Sequence, residues 1–308
     1  MSHSSAALDR RDAVDTAAAL IMVGLTFSWG LNYVAAKLSY TGFDPVFISI
    51  ARSAIGGSLV FLWCLWRRIP LFRRDGTLVA GTVVGLLFGL EFLLLYIGLE
   101  RTTMVRNTLL VNAMPFWMLL GGHFLLGEHF TLRKLTGLLL AFAGLVVVFS
   151  DKLSSGSGEA TMLGDVLSLG AGIMWALSNL VIKRATSLAR TSAEKLLLYQ
   201  LAGAAVVGFL VMPFSGPPIR DVAAVPVLAL LFQGTYIVAF TYVVWFWLLG
   251  RYPASGLASF AFLSPAFGVL CGALFLGEPL TLRVFLALAL IAAGLIVVNR
   301  SPRRTVPV

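Results

Sequence analysis

Charge is what this 308-residue sequence has least of. Asp, Glu, Lys and Arg make up 12% of it, against about 25% in an ordinary soluble domain. A soluble chain of this length must cover one or two domains with polar surface, and this composition cannot do so. Cysteine is nearly absent. Cys64 and Cys271 both fall inside apolar runs, which excludes a secreted disulfide scaffold and leaves them as small packing residues. The three histidines, His3, His123 and His129, are too few and too scattered for a metal site. There is no GxxxxGK[ST], no HExxH and no GxSxG, so nothing points to ATP hydrolysis or to a hydrolase, and no cofactor or metal is expected. No nucleic-acid motif accompanies the basic balance either.

Apolar residues fill the space: 59% of the chain, with a mean hydropathy of +0.92. A membrane-crossing helix takes about 20 mainly apolar residues. Ten such runs are read: 16–36, 46–66, 78–98, 102–126, 131–149, 162–182, 195–213, 224–248, 252–276 and 282–299. The expected fold class is an all-α membrane protein. Its parts are an N-terminal tail (1–15), five spans (16–149), a linker (150–161), five further spans (162–299) and a C-terminal tail (300–308). Connections this short leave no room for a soluble catalytic domain. The basic tail before span 1 resembles a signal peptide, but a span of about 20 residues with a counterpart later in the chain argues for an anchor.

The net charge of +9 reads as an orientation signal. With the N-terminus inside, 16 Lys and Arg fall on the cytoplasmic side and 6 on the other; Arg52 lies within span 2 and completes the 23. Both termini are therefore expected in the cytoplasm, with the chain multi-pass in the plasma (inner) membrane.

A repeat divides the chain. Residues 113–149 and 263–299 are identical at 16 of 37 positions at an offset of 150. Pro115 pairs with Pro265, Gly127-Glu128 with Gly277-Glu278, Thr131-Leu132-Arg133 with Thr281-Leu282-Arg283, and Gly144-Leu145 with Gly294-Leu295. A fainter echo at an offset of 146 pairs Trp29, Leu31 and Lys37 with Trp175, Leu177 and Lys183. Five spans per half is an odd number, so the second half enters the membrane upside down. Inverted repeats of this kind are the architecture of secondary transporters, in which exchanging the conformations of the two halves gives alternating access.

The motif WGLNYVAAK in span 1, Arg52 early in span 2, the mid-span proline leading to FLLGE in span 4 and the one leading to FLGEPLT in span 9 resemble the EamA-type transporters of the drug/metabolite transporter superfamily. The aromatic-rich, slightly basic character is similar to the YddG-like amino-acid exporter branch. The resemblance spans about residues 16–299. It implies a ten-helix fold with helices 1–4 and 6–9 around a central cavity and helices 5 and 10 outside. It also implies export of amino acids or other small metabolites.

Polar groups inside apolar spans are the site candidates. Arg52 and Glu91 are the charged side chains well inside the hydrocarbon. At 1.5 Å per residue, both lie about 9–11 Å below the outer face, so they are read as a pair or as neighbours in the outer part of a cavity, with Glu91 as a carboxylate for a coupling proton. The plainer alternatives are an arginine that snorkels and a buried structural hydrogen bond. Pro115 and Pro265 are read as mid-membrane kinks exposing backbone polarity. Trp29, Asn32, Asn112, Trp117, Trp175, Asn179, Tyr236 and Ser264 are the candidate cavity lining, with helix packing as the alternative. The glycine stripe Gly81, Gly85, Gly89 is read as helix packing inside a monomer.

The function expected is a secondary transporter exporting aromatic or other apolar amino acids, or similar metabolites. The partners expected are a small-molecule substrate, the lipid bilayer and a proton. The rivals are a carrier of another solute class such as nucleotide-sugar-like molecules, a channel-like facilitator, and an intramembrane enzyme, for which no catalytic constellation is present.

Overall fold

The computed structural model describes residues 11, 13–102, 104–154, 162–189, 191–277 and 282–299. Most of both tails, the linker segment 155–161, and Glu278 and Thr281 of the repeat lie outside these. The helices are α1 Thr16–Ser39, α2 Pro45–Trp66, α3 Leu78–Arg101, α4 Met104–Val111, α5 Met114–Leu126, α6 Leu132–Ser154, α7 Met162–Arg184, α8 Thr186–Ala189, α9 Ala193–Val211, α10 Ala224–Phe232, α11 Tyr242–Arg251, α12 Ala254–Ser259, α13 Leu263–Leu276 and α14 Leu282–Asn299. Among the described residues the only β pairing is an isolated bridge between Phe43 and Ile219. Nine helical stretches there are long and apolar enough to cross a membrane. The 23-residue α6 is a tenth helix in the position of the fifth span.

Local chemistry sets the helix ends. Asp15 and Asp44 accept hydrogen bonds from the Ala18 and Val46 amides at 2.8 and 2.9 Å and start α1 and α2; Ser192 caps α9 in the same way. Helices α5 and α13 both stop on a glycine in the left-handed region, Gly127 and Gly277, each at φ 68°. That conformation suits glycine, and the sequence repeat preserves it.

Three of the apolar runs are not single α-helices. The run 102–126 breaks at a turn over Asn112 and Ala113, just before Pro115, between α4 and α5. A proline has no N–H to give and its ring blocks the preceding turn. The Thr108 carbonyl there accepts from both the backbone N–H and the side-chain amide of Asn112, at 3.0 and 2.9 Å. The run 252–276 breaks before Pro265 in the same fashion: α12, a 3₁₀ turn over Phe260–Phe262, then α13. The run 224–248 contains a nine-residue π-helical segment, Gln233–Thr241, between α10 and α11.

The halves are interleaved rather than side by side. Helix α3 packs on α7 and α9, α1 on α13 and α10, α2 on α9 and the π segment, α5 on α7, and α6 on α14. Each contact joins the first half to the second. Small residues permit the closest of them. A Cβ on Gly203 would lie 2.1 Å from the Gly85 backbone, and Gly81 and Gly89 face Tyr199 and Val207. The glycine stripe is therefore consumed by α9 of the same chain. Backbone approach of this kind is how membrane helices gain packing energy where lipid is as apolar as their side chains.

The repeat is visible in individual hydrogen bonds. Tyr252 donates to Asp15 at 2.9 Å at the end of the bundle where α1 begins and α14 ends. Thr102 donates to Asp165 at 2.7 Å at the opposite end. Positions 15 and 165, and 102 and 252, are related by the same offset of 150. Arg106 also pairs with Asp165. Ion pairs clamp the two ends as well: Lys195 to Asp75 at 2.7 Å and Arg220 to Asp44 at 3.4 Å.

Candidate functional site

Spans 1, 2, 3, 6 and 8 bring one connected set of aromatic and polar side chains together. Trp29 on α1 donates through Nε1 to Thr241 Oγ1 at 3.0 Å. Its ring lies edge-on to Trp245 at 5.7 Å and to Tyr242 at 6.4 Å. Trp245 donates to Asn179 Oδ1 on α7 at 3.2 Å. Tyr242 meets Phe88 at 6.4 Å, and Phe88 meets Phe92 at 5.0 Å. Arg52 on α2 completes the set. Its guanidinium lies 5.2 Å over the Phe92 ring and 6.0 Å from the Tyr242 ring centroid, and donates to the Tyr242 hydroxyl at 2.9 Å. Cation–π contacts and one hydrogen bond hold this charge in an apolar setting. Glu91, on the turn of α3 between Phe88 and Phe92, is 6% exposed. Among the described residues it forms no ion pair, and its Oε2 has no hydrogen-bond partner. On α3, Glu91 adjoins Phe92 in sequence, and Arg52 lies over the Phe92 ring while hydrogen-bonded to Tyr242.

A second polar group adjoins the helix breaks. Tyr33, on α1, keeps 37% of its surface accessible. Gly268 on α13 packs against the Tyr33 ring, and Ser264 is one turn away at the break before α13. Asn32 Oδ1, Trp117 Nε1 and Ser264 Oγ are all buried without a hydrogen-bond partner among the described residues. Buried polar atoms are normally paired, so these three atoms on α1, α5 and α13 are candidate contacts for a polar solute. Of the sequence-derived residues, Trp29, Asn179 and Arg52 join the aromatic set; Glu91 lies on α3 between two of its rings, Asn112 in the α4–α5 break, Trp117 and Ser264 in the first turns of α5 and α13, and Asn32 on α1 beside Tyr33. Pro115 and Pro265 start the helices that follow the breaks. Trp175 is partly buried and packs on the core, its carbonyl taking the Asn179 amide at 2.9 Å. Tyr236 stands elsewhere. It is stacked between Phe232 and Phe240 at 5.4 and 5.7 Å in a half-exposed row, with its hydroxyl 3.0 Å from Ser28 Oγ.

Tyr33, Phe88, Phe92, Tyr242 and Trp245 are members that sequence reasoning missed. Their signal was their nearness in sequence to Asn32, Glu91 and Tyr236. The π segment Gln233–Thr241 precedes α11, which presents Tyr242 and Trp245 to Trp29.

The end that carries the termini is tied across the halves by Glu128, just past α5. Its carboxylate accepts from the Ala254 amide at 2.9 Å and from Ser255 Oγ at 2.6 Å, at the start of α12. Lys183 Nζ lies 3.7 Å away and Lys134 donates to Ser255 at 3.3 Å. Burial raises the Glu128 pKa, but Lys183, Ser255, Ala254 and Lys134 outweigh it and hold the carboxyl below its ordinary value. A separate cavity of about 570 Å³ opens at this end between α7, α9 and α11 and holds none of the sequence-derived site residues.

Nine candidate spans and a tenth helix among the described residues, arranged as two interleaved repeats with helices broken at Asn112–Ala113 and Phe260–Phe262, define a membrane protein of the inverted-repeat transporter architecture. The EamA-like transporter family matches twice, over residues 16–150 and 162–300, and the chain belongs to that family. A relative in Bacillus subtilis, named "Uncharacterized transporter YvbV", is 29% identical over 294 residues, covering 92% of each chain. One in Escherichia coli, named "Probable amino-acid metabolite efflux pump", is 27% identical over 295 residues, covering 94% of each. A solved crystal structure of a chain 22% identical superposes with a TM-score of 0.80 over 92% of this chain and 96% of that one, which establishes the shared fold.

Proposed function

We propose that this transporter exports amino acids with apolar or aromatic side chains, or closely similar small metabolites, by rocking of its two halves around the Arg52–Glu91 site. The observation that carries this reading is the aromatic wall of Trp29, Trp245, Tyr242, Phe88 and Phe92 with the Arg52 guanidinium set against it. Such a site is mostly apolar, with a few placed polar groups, as small-solute sites are. The name carried by the Escherichia coli relative supports the solute class. The charge distribution of 16 Lys and Arg against 6 supports an inner-membrane orientation with both termini cytoplasmic. The internal use of the glycine stripe supports a monomer.

Counterflow in proteoliposomes with a panel of amino acids, nucleosides and sugars, with and without a pH gradient, tests it. Saturable exchange of apolar amino acids is expected. Linear, non-saturating flux makes the protein a pore, and saturable exchange confined to sugars or nucleosides overturns the solute class. A pH gradient that drives uphill movement of the solute, and ceases to do so in Glu91→Gln, assigns proton coupling to that carboxylate.

A further inference from the structure

We infer that the loop joining α2 to α3 is a binding site for anionic phospholipid, in which Arg67, Arg68, Arg73 and Arg74 take the headgroup phosphate. The stretch FLWCLWRRIPLFRR, residues 61–74, sets four arginines within eight residues, and all four are exposed. Arg67 lies 5.7 Å from the Trp63 ring centroid; among the described residues the four side chains form no hydrogen bond or ion pair. Asp75, the adjacent acid, is held by Lys195 at 2.7 Å instead. Four positive charges therefore stand together with no carboxylate of the protein against them. The apolar side chains beside them face outward too. Trp63 and Trp66 are in contact at 5.1 Å, and Trp66 is 72% exposed and Phe72 85%. Helix α2 is long and apolar enough to cross a membrane, so exposed tryptophans in its last turn lie where bilayer meets water.

The loop is held in one shape. The Arg68 and Ile69 amides donate back to the Leu65 and Cys64 carbonyls at 3.1 and 2.8 Å and close α2. This closure takes a left-handed residue, and α2 uses Arg68, at φ 53°, where α5 and α13 stop on glycine. Among the described residues it is the one non-glycine with positive φ. A side chain there strains the backbone, and such strain persists where a site needs the residue. Ile69 and Leu71 then pack on the core, and Phe72 meets Phe61 edge-on at 6.4 Å. The second arginine pair is thereby returned toward the end of α2 and the first. A basic cluster directly beside a membrane span attracts anionic headgroups, and arginine matches phosphate with two parallel N–H bonds. An acidic peptide or a nucleic acid would meet the arginines alone. A phospholipid meets the arginines and the exposed rings together, from whichever leaflet this end of the chain occupies.

The test is native mass spectrometry of the full-length protein, delipidated in detergent and titrated with phosphatidylglycerol or with phosphatidylcholine of the same acyl chains. Phosphatidylglycerol should bind about tenfold or more tighter than phosphatidylcholine. Arg67→Gln with Arg68→Gln, and Arg73→Gln with Arg74→Gln, should each weaken phosphatidylglycerol by about fivefold per arginine removed and leave phosphatidylcholine unchanged. Arg303→Gln with Arg304→Gln, which removes the same charge from the C-terminal tail, should change neither. Arg68→Gly suits the left-handed backbone, so it guards against a folding defect: its thermal midpoint should hold or rise while phosphatidylglycerol binding weakens. Equal binding of the two lipids by the wild type, undiminished phosphatidylglycerol binding in the loop variants, or the same loss in the tail variant overturns the site. Displacement of the lipid by millimolar inorganic phosphate would make the loop a simple anion site and overturns it as well. None of these outcomes involves the transported solute, so failure here leaves the transport proposal standing.

Discussion

Single residues at the bundle ends show how this chain handles charge. Asp75 sits in the loop before α3. Lys195 and the Thr77 hydroxyl bond to its carboxylate at 2.7 and 2.6 Å, and those bonds hold its pKa well below the ordinary carboxylate range. A carboxylate depressed in the folded state contributes stability that is fully present above its unfolded pKa of about 4 and is lost as the pH falls through the folded value. The thermal midpoint of the purified protein should therefore show no Asp75 contribution to its pH slope between pH 5 and 8 (a window set by the unfolded pKa of about 4). Asp75→Asn should lower the midpoint at neutral pH and flatten the fall seen in acid. Thermal scanning of both proteins across pH measures this. A variant with an unchanged midpoint at pH 7 would show that the Lys195 pair adds nothing to folding. At this scale the sequence was informative wherever chemistry was out of place: Arg52 and Glu91 stand out as charges in apolar runs. Asp75 and Lys195 look like ordinary loop charges, and only the fold reveals that they meet.

Among the elements, hydropathy and the 150-residue offset were enough to read the spans, their inverted order and the two proline breaks, because each depends on a local property of the chain. The π segment Gln233–Thr241 was not legible, since a π turn and an α turn share the same composition and differ only in which carbonyl accepts. That is why Tyr236 was expected in the site and Tyr242 and Trp245 were not. The Glu128 tie was half legible: the repeat marked the residue, while its partners at Ala254 and Ser255 come from the opposite half. Removing it with Glu128→Ala leaves the first amides of α12 without their acceptor and Lys183 without a nearby carboxylate. A cost of about 1–2 kcal/mol, as for other lost helix caps, is expected in detergent-solubilised unfolding, with Glu128→Gln losing less because it still accepts a hydrogen bond. Equal stability of all three proteins would remove the tie from the account.

For the whole molecule, the charge count predicts the orientation. Each half carries its own bias: 8 Lys and Arg to 3 in residues 1–149 and 8 to 3 in residues 150–308, with Arg52 left out. Neither half depends on the other for direction. Reporter tags placed before Met1 and after Val308 should both be inaccessible from outside intact cells and become accessible once the membrane is permeabilised. A tag that reacts from outside refutes the assignment.

The π segment has one more consequence. Two halves of perfect equivalence would make the inward- and outward-open states mirror images of equal energy, and a solute would meet the same affinity from either face. Span 3 is regular α-helix over Leu78–Arg101, while its counterpart span 8 carries nine residues of π turn. That difference lifts the degeneracy. If the halves alternate as proposed, one state is expected to be favoured, and half-saturation constants measured from the two sides of the membrane are expected to be unequal even when the overall driving force is zero.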